Sequence, residues 1–98
     1  MAITSILDLQ LKPDSLDKAN EIIHATLAAT RAFDGCLGVT VLVDSADPAH
    51  VVLLETWESA EHDQAYRVWR STPEGASELG SIIAAAPKLS LYAEAEGV

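Results

Sequence analysis

The chain has 98 residues, fifteen acidic against six basic side chains (formal net charge −9), and 49% apolar residues, of which only five are aromatic. A chain of this length buries about 60–70% of its unfolded surface, which supports one small core and a single domain over residues 1–98. The negative charge argues against nucleic acid and anionic membranes as partners, and a lone cysteine, Cys36, excludes an intrachain disulfide and a cysteine-based metal cluster.

Residues 3–12 alternate, with Ile3, Leu7, Leu9 and Leu11 on one face and Asp8, Gln10 and Lys12 on the other. Period two predicts a strand buried on one side. Pro13-Asp14-Ser15 breaks the pattern, and Asp14 or Ser15 is placed to cap a helix. From Leu16 the period becomes 3.6: Leu16, Ala19, Ile23, Thr26, Leu27, Thr30 and Phe33 form one stripe, ended by the turn signal Asp34-Gly35. His24 falls off that stripe and reads as a surface residue.

Residues 36–43 read as a second strand, 44–49 as a loop around Asp47-Pro48, and 50–58 as a third strand, which together suggest an antiparallel hairpin. His50, at the start of the third strand, is expected in solvent. Ser59 is placed to cap a second helix over 60–71. Thr72-Pro73-Glu74 reads as a fresh start for a short third helix, and residues 88–96 as a last strand. The order β-α-β-β-α-(α)-β is that of a ferredoxin-like α+β fold, an antiparallel sheet with its helices on one face.

Helices on one face leave the other face open. Ile6, Cys36, Thr40, Leu42, Val52 and Leu54 are the candidates to occupy it, and so apolar a face predicts a homodimer through the sheets. The N-terminus has neither a basic stretch nor an apolar leader, and no segment approaches the roughly 20 apolar residues of a membrane span, so a cytoplasmic protein without a membrane partner is expected.

The chain carries no GxGxxG, Walker, GxSxG or HExxH signature, and His24, His50 and His62 share no metal-ligand spacing. Hence no metal, haem or flavin cofactor is expected. Cys36, beside a turn and without a His–Asp pairing legible in the sequence, is expected to pack rather than to act as a nucleophile. His62, Ala65, Tyr66 and Trp69 are spaced i, i+3, i+4, i+7 and share a helix face. Glu55 and Trp57 share a strand face. Should these faces meet, they enclose a pocket with flat aromatic walls and a few polar groups, suited to a planar organic ligand. Tyr66, Glu55 and His62 are the candidates for proton handling, and Trp57 and Trp69 for holding the ring. Each also has a plain packing role: both indoles as core, Tyr66 at a rim, His62 frayed into solvent, Glu55 paired or at a dimer seam.

The string Phe33-Asp34-Gly35-Cys36-Leu37-Gly38, a strand, Asp47-Pro48, and then Val51 through Ser59 (VVLLETWES) followed by a helix resembles the antibiotic biosynthesis monooxygenase (ABM) family, also called quinol-monooxygenase-like. The resemblance runs along nearly the whole chain. It implies a dimeric α+β barrel of two ferredoxin-like protomers, with a cavity between helices and sheet in each. It also implies a cofactor-independent monooxygenase acting with dioxygen on a planar phenolic, quinol or polyketide-like molecule. The alternatives are a non-catalytic ligand-binding dimeric module, or an isomerase or cyclase using the same pocket. Haem-degrading members use an Asn on the first strand and a later His; here that strand reads Ser5-Ile6-Leu7-Asp8-Leu9, and no His follows Thr72. Where many quinol-monooxygenase-like members carry a His in the second helix, this chain has Tyr66. On this reading Tyr66→Phe impairs function and leaves the melting temperature nearly unchanged.

Overall fold

A computed structural model describes all residues 1–98. Four strands, β1 (Ile3–Gln10), β2 (Cys36–Asp44), β3 (Asp47–Trp57) and β4 (Lys88–Ala93), form one antiparallel sheet in the order β2-β3-β1-β4. Helices α1 (Leu16–Ala32) and α2 (Ala60–Arg70) complete the ferredoxin-like α+β fold expected from the residue pattern.

Register decides which side chains face the helices. Ser5 pairs with Glu55, Leu7 with Leu53 and Leu9 with Val51, so these six share the covered face. Leu9, Leu53 and Val51 join Leu11, Ala19, Ile23, Leu27, Ala49 and Ile82 in the apolar core. The core occupies one end of the helix–sheet sandwich. At the other end the covered face turns polar at Ser5 and Glu55 and aromatic at Trp57, all three of them buried. The open face carries the row Thr40–Leu54–Ile6–Ser90 and, beside it, Leu42–Val52–Asp8–Lys88.

Five local expectations change. Ser15 makes no side-chain cap; with φ −109° and ψ 3° it stands in a 3₁₀ turn over Pro13–Ser15 that runs straight into α1. The extended backbone that aims a capping oxygen at the first N–H groups is missing there. The 44–49 loop shrinks to Ser45-Ala46, because the carboxylates of Asp44 and Asp47 accept from the N–H groups of Ala46 and Ala49 and let β3 begin at Asp47. Cys36 does not reach the open face. It pairs with Trp57 while Gly38 pairs with Thr56, so Leu37 is an inserted residue that reverses the alternation, as in a β-bulge.

The third helix is replaced by two 3₁₀ turns, Pro73–Gly75 and Glu78–Ser81. Thr72 and Ser77 take the N–H groups of Gly75 and Leu79 with their own hydroxyls, which competes with helix propagation. A side chain at Gly75 would meet the Trp69 carbonyl oxygen at 2.0 Å, so the turn presses directly on the end of α2. His50, finally, lies inside β3, half-buried rather than free in solvent. The Ser59 cap forms as expected, accepting from His62 N.

Candidate active site

Helix α2 turns Asp63, Tyr66 and Arg67 toward the sheet, so that of the expected His62–Ala65–Tyr66–Trp69 stripe only Tyr66 is fully buried. Ala65 is exposed. The cause lies on the sheet: Glu55 is 1% exposed and needs a cation. Arg67 Nη2 donates to Glu55 Oε1 at 2.6 Å, to Asp63 Oδ1 at 3.0 Å and to Ser5 Oγ at 2.9 Å. Ser5 Oγ (3.2 Å) and Trp57 Nε1 (3.3 Å) donate to the same Glu55 oxygen. Every donor converges on Oε1, leaving Oε2 without one.

Tyr66 forms a second node. Its hydroxyl accepts from Arg70 Nε at 2.7 Å and lies 2.6 Å from Thr30 Oγ1. Thr30 itself donates to the Thr26 carbonyl and accepts from Arg70 Nη2. A hydroxyl carries one proton, so the Tyr66 proton points at Thr30. The phenol ring sits within an aromatic cluster, 4.9 Å from Trp57, 5.3 Å from Phe33 and 6.2 Å from Trp69 between centroids.

Glu55, Tyr66, Arg67 and Arg70 all line one cavity of about 190 Å³, closed on its apolar side by Leu7, Leu27, Leu53 and Leu79. Thus Glu55 and Tyr66 are brought together, while the other three candidates lie elsewhere. Trp57 is fully buried behind Tyr66 and supports the wall without forming it. Trp69 lines a separate outer groove of about 360 Å³ between α1 and the 3₁₀ turns. Thr26, Arg70 and Ser77 border both spaces and stand between them.

His62 sits outside the cavity at the start of α2. Its Nδ1 is 2.7 Å from Ser59 Oγ, and its Nε2 is 3.7 Å from Asp34 and 3.8 Å from Glu58. Those three side chains place ligand atoms within 4.8 Å of one another, but at a site where Asp34 and Glu58 are exposed. Burial pushes the Cys36 thiol up from its ordinary value and Glu55 adds to this, against a lowering hydrogen bond from Gly38, which disfavours the nucleophilic thiolate.

Pattern reading alone passed over Ser5, Asp63, Arg67 and Arg70. The signals were present: Ser5 is a polar residue in the apolar register of β1, and Asp63 and Arg67 stand at i, i+4.

Residues 2–75 match the profile of the antibiotic biosynthesis monooxygenase family. No functionally curated protein shows significant sequence similarity to the chain. Among solved structures, Rv0793 from Mycobacterium tuberculosis superposes with a TM-score of 0.78 at 18% identity, over 98% of this chain and 97% of that one. An antibiotic biosynthesis monooxygenase superposes at 0.79 and 19% identity, over 95% and 98%. A conserved protein from Methanosarcina mazei gives 0.76 and 20%, over 94% and 91%. Such identities speak for the fold alone. The family match, spanning three quarters of the chain, makes this protein a member of the antibiotic biosynthesis monooxygenase family.

Proposed function

We propose that the protein is a cofactor-independent monooxygenase that oxidises a planar, electron-rich phenol or quinol in the 190 Å³ cavity. The observation that carries this reading is the convergence of Glu55, Tyr66, Arg67 and Arg70 on a space whose apolar side is walled by four leucines. A deprotonated phenol can supply the electrons itself. The phenolate passes one electron to dioxygen, and the resulting radical and superoxide join at a ring carbon as a peroxide. Protonation of the distal oxygen, loss of the ring C–H proton and O–O cleavage release water and leave a quinone. The sum is phenol plus dioxygen giving quinone plus water, with no external reductant.

The chain's contribution is a dry site, charge and proton handling. Glu55 keeps Oε2 free of donors and is the acceptor for the substrate's hydroxyl proton. Tyr66, linked to Thr30 and Arg70, orients the ring oxygen. Trp57 supports the Tyr66 ring from behind, and Trp69 offers a flat surface in the adjoining groove. His62 has no part in the site. The functional unit is a homodimer joined through the open sheet faces.

Isotopic labelling tests the reading. With labelled dioxygen, one labelled atom belongs in the quinone and one in water. Product formed equally well without dioxygen would mean an isomerase or cyclase. Ligand binding without any product would mean a binding module, which the tight Glu55–Arg67 pairing favours as the second reading.

A further inference from the structure

The two arginines of the cavity differ in charge balance. Two carboxylates lie within 4.0 Å of the Arg67 guanidinium, and none within that distance of Arg70. Arg70 instead donates to four neutral oxygens: Tyr66 Oη, Gly75 O, Thr26 O and Thr30 Oγ1. A guanidinium has five N–H donors, so one on Nη1 stays uncommitted. Its plane also lies over two π faces, 5.1 Å from the Tyr66 centroid and 5.0 Å from that of Trp69. In a chain of net charge −9, a partly buried cation held by neutral groups alone is an unmatched charge. An anion reaching it meets a preorganised donor in a site of low dielectric.

The inner cavity is where that anion belongs. Its one lining carboxylate, Glu55, is already paired with Arg67. The outer groove, by contrast, is lined by Glu21, Glu74 and Glu78, which repel an anion. We propose that Arg70 recognises an anionic oxygen of the ligand, so that the cavity takes a phenol as its phenolate with the oxygen at Arg70. This inference rests on the reading of the cavity as the ligand site, but not on oxidation taking place there.

The test uses 4-nitrophenol, whose visible band reports the phenolate, with 4-nitroanisole as a neutral probe of similar shape. Both are titrated against the intact protein under nitrogen, which removes turnover. Charge-assisted hydrogen bonding favours the phenolate over the phenol by roughly tenfold. The bound 4-nitrophenol therefore ionises at a pH about one unit lower than in free solution, its proton passing by way of Glu55 to the buffer. The side-chain N–H resonance of Arg70 shifts with 4-nitrophenol and not with 4-nitroanisole. Read as the ratio of the two probes' affinities within each variant, Arg70→Lys keeps most of the preference and Arg70→Gln abolishes it.

Equal binding of the two probes by the native protein, or an upward shift in ionisation, overturns the inference, and neither result depends on a variant folding. Failure of both probes to bind overturns the cavity reading along with it. Phenolate capture without labelled oxygen in any product leaves the inference standing and removes the oxygenase reading alone.

Discussion

Arg67 on α2 and Glu55 on β3 meet at 2.6 Å across the helix–sheet interface, beyond the end of the aliphatic core. The carboxylate is 1% exposed, so removing its partner strands a charge in a poorly solvated place. Arg67→Met is expected to cost about 3–5 kcal/mol, a large share of the roughly 5–15 kcal/mol that holds a domain together. The double variant Glu55→Gln/Arg67→Met recovers part of that loss, because Asp63, also buried, still lacks its cation; Glu55→Gln/Asp63→Asn/Arg67→Met, which leaves neither carboxylate unpaired, recovers more. Urea unfolding measures each. A cost below about 1 kcal/mol for the single variant would place the pair with solvent-screened surface bridges.

Tyr66→Phe tests the second node. The sequence alone led to an expectation of nearly unchanged melting. The structure revises it, since the hydroxyl accepts from Arg70 Nε and donates to Thr30. Loss of the hydroxyl leaves Arg70 Nε without its acceptor, at a cost of about 1–3 kcal/mol. Thr30→Val breaks the Thr30 contact from the other side and leaves the phenol in place. Tyr66→Phe should lower both stability and ligand turnover, and Thr30→Val chiefly stability. Equal loss of turnover in the two would reduce Tyr66 to a packing residue.

The fold was legible because its signals are local. The alternation of residues 3–12, the 3.6-residue stripe from Leu16 and the Ser59 cap each require only near neighbours along the chain. The Glu55–Tyr66 convergence was half legible. Spacing put Glu55 with Trp57 and Tyr66 with Trp69, but which face of α2 turns inward depends on a carboxylate on another strand. An apolar stripe is the ordinary guide to the buried face; here a buried charge turned the helix so that Asp63 and Arg67 face the sheet. Leu37, a single inserted residue, likewise moved Cys36 to the opposite face, a change that periodicity cannot register. The two 3₁₀ turns were hidden because helical starts such as Thr72-Pro73 look alike whether or not a helix follows.

A pH dependence follows from His50. Its Nδ1 lies 2.9 Å from Asp44 and its Nε2 3.0 Å from Asp8. Hydrogen bonds to Asp44, then to Asp8, raise its pKa from the ordinary 6.5, while the His50 contact lowers that of Asp44 from 3.8. Gln10 opposite His50 is uncharged, and Lys88 stands across from Asp8 on β4. A raised histidine pKa contributes stability that is complete below about pH 6.5 and fades as pH climbs through the higher folded-state value. The depressed Asp44 value contributes above pH 3.8 and fades as pH falls through the lower folded-state value. The urea midpoint should therefore fall on the alkaline side, and His50→Gln should flatten that fall. An identical pH profile in the variant would show that the Asp8–His50–Asp44 bridge adds nothing to stability.

The open sheet face supplies the last prediction. Cross-strand register sets Thr40, Leu54 and Ile6 in one row and Leu42 and Val52 in the next, with Tyr92 across from Thr4 beside them. Leu42 is 48% and Tyr92 55% exposed, while no helix of the chain covers this face. Five apolar side chains grouped on one surface of a small protein form a patch of the kind that pairing removes from water. A twofold arrangement lets the same patch serve on both partners. The expected particle in solution has twice the 10.4 kDa chain mass. Leu54→Glu, at the centre of the patch, would bury a carboxylate among the apolar side chains of the seam, an unfavourable change of several kcal/mol. It should dissociate the dimer at micromolar concentration. Leu42→Glu, nearer the rim, should weaken association less, because water still reaches its carboxylate. Sedimentation of the native protein as a 10.4 kDa particle at the same concentration would contradict the pairing. A native dimer unmoved by either substitution would mean that the partner attaches elsewhere, and the exposed Leu89 and Leu91 on the helix side of β4 would be the next surface to charge.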